Sequence, residues 1–148
     1  MTPGQYTELF FLDEATALAA GHRPCAECQR ARFDQFRTLW AAANPQLANG
    51  LTKPPATLID VVLHEERLQA AKATVAVENL PSGIFVALAD GNAYLVYQGR
   101  LLCWSPFGYE TVDTPLATHS ATLLTPLSVV HTLALGYGPG LHASAGIL

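Results

Sequence analysis

Charge is scarce in this chain. Eight Lys and Arg and twelve Asp and Glu make up 14% of 148 residues, where an average soluble domain carries about 25%. Such a surface either is small or is partly covered by a partner, and self-association into a homo-oligomer is one expectation. A basic surplus is also lacking, and the formal charge of -4 argues against broad, sequence-blind attraction to phosphate backbones. No apolar run reaches the roughly 18 to 20 residues of a membrane-spanning helix. The opening "MTPGQYTELFF" has no basic region ahead of an apolar core, so no secretory signal is read there and the protein is expected in the cytoplasm, off the membrane. Cysteine is limited to three, an odd count with two of them close together, which excludes a disulfide framework. Three catalytic signatures are missing as well. There is no Gly-x-Ser-x-Gly elbow, "GYGPGLH" has no phosphate-loop Lys, and "HEERL" places Leu68 where a zinc protease has its second histidine.

What is present reads as α+β. Asp13 can cap a first helix over "EATALAA", which Gly21 ends. A second helix is predicted to start at Pro24 and run through residue 43, with Phe33, Phe36, Leu39 and Trp40 recurring at three and four as a core face. "NPQLANGLTKPP" is rich in Pro, Gly and Asn and reads as a loop or linker. A third helix, capped by Thr57, is expected over 58–73 with Ile59, Val62, Leu63 and Leu68 inward. "GIFVALA", "AYLVY" and "RLLCW", separated by Asp90-Gly91 and Gln98-Gly99, predict a small antiparallel meander. The stretch 105–120 reads as loop, with room for a short edge strand. A final helix, capped by Thr125 with Pro126 in its first turn, stops at Gly136. The expected organisation is a helical segment over 1–44, a linker over 45–56 and an α+β body over 57–148, packed as one unit.

The stretch "AAGHRPCAECQRARF" carries the most chemistry. Cys25 and Cys28 are spaced so that one turn brings both sulfurs to the same side. A helix starting at Pro24 would add free N–H groups, and Arg23 a positive charge, both of which favour thiolate. The residues alone leave three uses open: a metal pair, an inert core pair and a redox pair, the last without the preceding strand of a thioredoxin-like unit. His22 gives His-x-x-Cys-x-x-Cys, and the lone Cys103 lies on a predicted strand.

"LFFLDEATALAAGHRPCAECQRARF", about 25 of the 148 residues, resembles the second half of the metal-binding domain of Ada, the bacterial methylated-DNA repair family. Glu14, Ala15, Ala19, Ala20, Gly21, Arg23, Pro24, Cys25 and Cys28 fall where the family pattern expects them. "YTELFFLDEA" and "GHRPC" are similarly shared with a group of uncharacterised bacterial proteins. The resemblance implies zinc, held in that family by four cysteines, and carries over only the second pair, onto Cys25 and Cys28. The family's first pair, one of which accepts methyl groups from DNA phosphotriesters, has no counterpart in "MTPGQYTELFF", so the methyl-acceptor role does not carry over. A zinc site on Cys25 and Cys28, with His22 as the nearest further donor, is therefore the expectation.

By the same resemblance nucleic acid is the first partner to consider. Arg23, Arg30, Arg32 and Arg37, half of the eight basic residues, are the expected contact face. Two rival readings come from other classes. One is an enzyme with Cys25 as nucleophile, or with Asp60 and His64, four apart on one helical face, as an acid-base pair. The other is an accessory or interaction domain without metal. His119, His131 and His142, the nearby Ser120, Ser128 and Ser144, and the aromatics Trp104, Phe107 and Tyr109 are weaker candidates, read chiefly as packing and surface residues.

Overall fold

A computed structural model describes residues 11–69, 72–112 and 120–146. His119 lies outside these residues. The order is α1 (Glu14–Ala19), α2 (Arg30–Ala43), α3 (Ala56–Leu68), β1 (Thr74–Ala76), a 3-10 turn (Val77–Asn79), β2 (Phe85–Ala87), β3 (Ala93–Tyr97), β4 (Arg100–Ser105), β5 (Gly108–Thr111), β6 (Ser120–Leu123), α4 (Leu127–Ala134) and a single turn, α5 (Ala143–Gly146). The protein is α+β: helices around a six-stranded antiparallel sheet of order β1-β6-β2-β3-β4-β5.

β2, β3 and β4 form the expected meander, and β5 is a short edge strand within the stretch 105–120. Gln98 and Gly99, at φ 49° and 75°, make the two-residue turn that lets Tyr97 pair with Arg100, because two left-handed residues match the strand twist. Two strands were not anticipated. β6 pairs with β2 through Val86 and Leu123, and β1 lies outside it with Val75 opposite Ala121. The predicted third helix accordingly stops at Leu68, and Leu68 itself is exposed.

Both sheet faces are covered, which is why Tyr94, Leu95 and Val96 are all buried although strand side chains alternate. On one face, Val86, Tyr94, Val96, Leu101 and Leu123 share a cluster with Phe33, Phe36 and Trp40 of α2, Ile59 and Leu63 of α3, and Val129 and Leu133 of α4. On the other, Phe85, Leu95, Leu102 and Tyr109 close over Ala15 and Ala145. Each large side chain so buried contributes roughly 1.5–3 kcal/mol. Gly83 shows how closely the C-terminal tail is drawn in. At φ 103° a Cβ there would meet Pro139 at 2.7 Å and Leu133 at 2.9 Å, so no larger residue fits.

A polar bolt joins α2, α3 and α4. Thr125 does not cap α4; its hydroxyl accepts the Phe85 N–H at 2.8 Å. Glu66 of α3 caps α4 instead, accepting from Ser128 N at 2.9 Å and Ser128 Oγ at 2.5 Å. The Trp40 indole donates to Ser128 Oγ at 3.1 Å, and Asn44 Nδ2 donates to the carbonyls of Trp40 and Ser128, each at 3.0 Å. Ser128 is thus a structural residue with no exposure.

Candidate functional site

Asp13 caps α1 as expected, accepting the Thr16 N–H at 2.9 Å, and the chain leaves the helix through Gly21 at φ 90°. A Cβ at Gly21 would stand 3.3 Å from Cδ of Arg67, so glycine serves both the left-handed turn and the approach of α3. The segment 22–25 is then tied to α3 by a fork-to-fork ion pair. Arg23 Nε donates to Asp60 Oδ1 at 3.0 Å and Nη2 to Oδ2 at 3.2 Å.

The second helix does not start at Pro24. Residues 25–29 form a separate helical turn, with Gln29 N donating to the Cys25 carbonyl at 3.0 Å, and Gln29 at φ -130°, ψ 56° breaks it from α2. Cys25 heads that turn as Ser or Asp would. Its Sγ accepts the Cys28 N–H at 3.2 Å. This hydrogen bond, with the Cys28 side chain and the Glu27 N–H adding to it, holds the Cys25 thiol below its ordinary range, since N–H groups aimed at sulfur favour the thiolate. The activating element is therefore the turn and not the dipole of a long helix. Cys25 is half-buried and Cys28 exposed.

Cys25 opens into a cleft of about 600 Å³, formed by α1, the 22–25 segment and the outer face of α3. His22, Arg23 and Cys25 line it from one side, and Asp60, His64 and Arg67 from the other. The His22 ring lies 5.1 Å from the ring of Phe11. Burial, then Arg67, push its pKa down; Asp60 opposes them, and Arg23 adds the smallest downward push. The structure thus brings His22 and Cys25 to one cavity, with Cys28 hydrogen-bonded at its rim. Cys103 belongs elsewhere, opposite Tyr94 in the sheet. Among the described residues no group of three or more His, Cys, Asp or Glu is gathered as a metal site. Two cysteines could supply at most two positions of a tetrahedral set, and further donors would be required.

The acid-base pair read on α3 does not form, because Asp60 is engaged with Arg23 while His64 Nδ1 meets Arg67 Nη2 at 3.3 Å. Arg67 was the residue overlooked. Its signal was present, since Asp60, His64 and Arg67 recur at four and three along one helical face.

The four arginines of the expected nucleic-acid face each have a carboxylate of this chain. Arg23 holds Asp60, Arg30 and Arg37 share Asp34 at 3.4 and 2.8 Å, and Arg32 pairs with Glu14. The guanidinium groups of Arg23, Arg30 and Arg37 also lie 5.1–5.9 Å from the ring of Phe33, and that of Arg32 lies 4.7 Å from Tyr137. His142 accepts from Ser144 N at 3.1 Å and contacts its Oγ at 2.8 Å, while Ser144 Oγ accepts from Tyr109 N at 2.9 Å. That arrangement fastens the tail to β5. Comparison of the chain with protein-family models, curated proteins and solved structures finds no match, and no helix of the described residues is long and apolar enough to cross a membrane.

Proposed function

We propose that the protein is a thiolate-based metal-binding module, with Cys25 and Cys28 as the pair that holds zinc and His22 as the nearest further donor. The observation that carries this reading is the hydrogen bond from the Cys28 N–H to Cys25 Sγ at 3.2 Å. It prepares a thiolate at the mouth of a polar cleft and sets Cys28 one turn away. Thiolate is the form that binds soft or borderline cations, and binding such a cation displaces the thiol proton. Arg23 fixed on Asp60 keeps the 22–25 segment against α3, so the pair is presented on a braced turn. His22 would need to leave the ring of Phe11 to reach a metal. Zinc supplies a Lewis-acidic cation at the thiols when bound.

Zinc content of the purified full chain tests this. The expected result is one zinc per chain, lost in both Cys25→Ser and Cys28→Ser, kept in Cys103→Ser and weakened in His22→Ala. Metal-free protein that takes up no added zinc overturns the reading. A second reading, in which Cys25 is itself a nucleophile, is favoured by its lowered pKa and partial exposure. It predicts one fast-alkylating thiol in metal-free protein, with Cys28→Ser leaving that reactivity largely intact. The nucleic-acid connection implied by the resemblance to Ada is tested by titrating the zinc-loaded chain with duplex DNA. Contacts through Arg23, Arg30, Arg32 and Arg37 would have to compete with their own carboxylates, so salt-sensitive binding that is weakened by Arg30→Gln supports them.

A further inference from the structure

Among the described residues three carboxylates line the cleft beside Cys25, and each is already engaged within the chain. Asp13 accepts from Thr16 on Oδ1, and from Tyr109 Oη at 2.6 Å and His142 N at 2.9 Å on Oδ2. Glu14 takes Arg32 and the Gly140 N–H at 2.9 Å on Oε1, and Tyr137 Oη at 2.9 Å on Oε2. Both oxygens of Asp60 are on Arg23.

Arg67 is different. Among the described residues it has no carboxylate partner, and its guanidinium meets the Ala20 carbonyl at 3.5 Å and His64 Nδ1 at 3.3 Å. In the tautomer whose Nδ1 accepts from Arg67, Nε2 carries the ring proton and is a second donor beside the guanidinium. Arg67 and His64 are both exposed, and the Arg67 stem lies over Gly21 at its Cβ and Cδ, which leaves the head facing solvent at the cleft. The cleft therefore sets a guanidinium that has no carboxylate partner among the described residues beside an imidazole, and Phe11, Ala17, Leu18 and Pro24 give it an apolar wall.

We infer that this cleft binds a small molecule bearing an oxyanion, a carboxylate or a phosphate, with the oxyanion on Arg67 and His64. About 600 Å³ lies within the roughly 300–1,000 Å³ of small-molecule sites. A guanidinium beside a second N–H is the geometry that such oxygens select. The inference deepens the proposed module by giving its cavity a ligand class, but it uses neither thiol, so the two readings fail separately.

The test is a titration of the full chain, followed by amide and arginine side-chain NMR shifts, with inorganic phosphate in one arm and acetate in the other. Both are run against sodium chloride at matched ionic strength. The expected result is saturable binding above the chloride baseline that localises to Arg67, His64 and Gly21. Tighter binding of phosphate or of acetate names the oxyanion. Arg67→Gln should weaken it at least about five-fold, with Arg67→Lys in between, whereas Cys103→Ser and Arg30→Gln, both away from the cleft, should stay within about two-fold of the parent. Should Arg67→Gln unfold, Arg67→Lys, which keeps the packed stem and the charge but loses the fork, carries the comparison. No saturation above chloride, equal binding in the Arg67 variants, or an equal loss in Arg30→Gln overturns the inference.

Discussion

Two polar regions of this molecule are built on opposite principles. In the bolt between α2, α3 and α4, Glu66, Ser128, Trp40 and Asn44 satisfy one another inside the core. At the turn of residues 25–29, a sulfur takes its hydrogen bonds from the turn's own Glu27 and Cys28 and faces a cleft. Buried polar groups without partners cost roughly 1–3 kcal/mol each, so the bolt has to be complete for the helices to dock. The turn carries no such requirement, because water reaches it. Polar groups closed on one another hold the fold, and polar groups left accessible on a braced backbone are free for chemistry.

The sharpest way to break that contrast is Trp40→Ala. Trp40 is fully buried and its loss should cost about 3–5 kcal/mol, read as a fall in the denaturant midpoint, because it opens a cavity and removes the indole donor to Ser128 Oγ. Next is Glu66→Ala, which leaves the Ser128 N–H and hydroxyl without their acceptor and should cost about 1–3 kcal/mol. Glu66→Gln should cost less, since the amide oxygen still accepts.

Alkaline pH probes the same fold more gently. Burial, then the facing Asp13 and Glu14, hold the Tyr109 and Tyr137 pKa values above the ordinary range. A raised folded-state pKa contributes stability that is fully present below the unfolded value near 10 and is lost as pH rises past it toward the folded value. Melting temperature should therefore fall from about pH 9 to about pH 11, and Tyr109→Phe should flatten that fall.

At the turn the effect on stability should be smallest and the effect on chemistry largest. Cys25→Ser and Cys28→Ser should each shift stability by no more than about 0.5 kcal/mol. The alkylation rate of Cys25 should reach half its maximum below the pH of about 8.5 usual for a free thiol. Cys28→Ala, which keeps the N–H but removes the neighbouring thiol, should move that midpoint upward only part of the way, because the backbone hydrogen bond is the larger cause.

The sequence revealed these regions unequally. Asp13 as a cap, Gly21 and Gly136 as helix stops, and the Phe33, Phe36 and Trp40 face were legible because each rests on local geometry or period. The meander was legible from its turn residues. β6 escaped because its alternation, Ala121 and Leu123 inward, spans four residues only, and β1 because "AKATVA" continues a run of helix formers. The break at Gln29 was hidden, since nothing in "PCAECQRAR" opposes a continuous helix; a sulfur taking the place of a capping oxygen is what decides it. Cys25 and Cys28 were found from spacing, whereas Arg67 was passed over because an arginine on an exposed helix face is ordinary until its neighbours' carboxylates are seen to be engaged elsewhere.

The most direct test of the thiol pair is the absorption of the cobalt-loaded full chain. Two thiolates on one ion give an intense near-ultraviolet sulfur-to-cobalt charge-transfer band, expected in the parent and in Cys103→Ser and lost or halved in Cys25→Ser and in Cys28→Ser. A parent spectrum without that band, or one unchanged when either cysteine is replaced, contradicts the account.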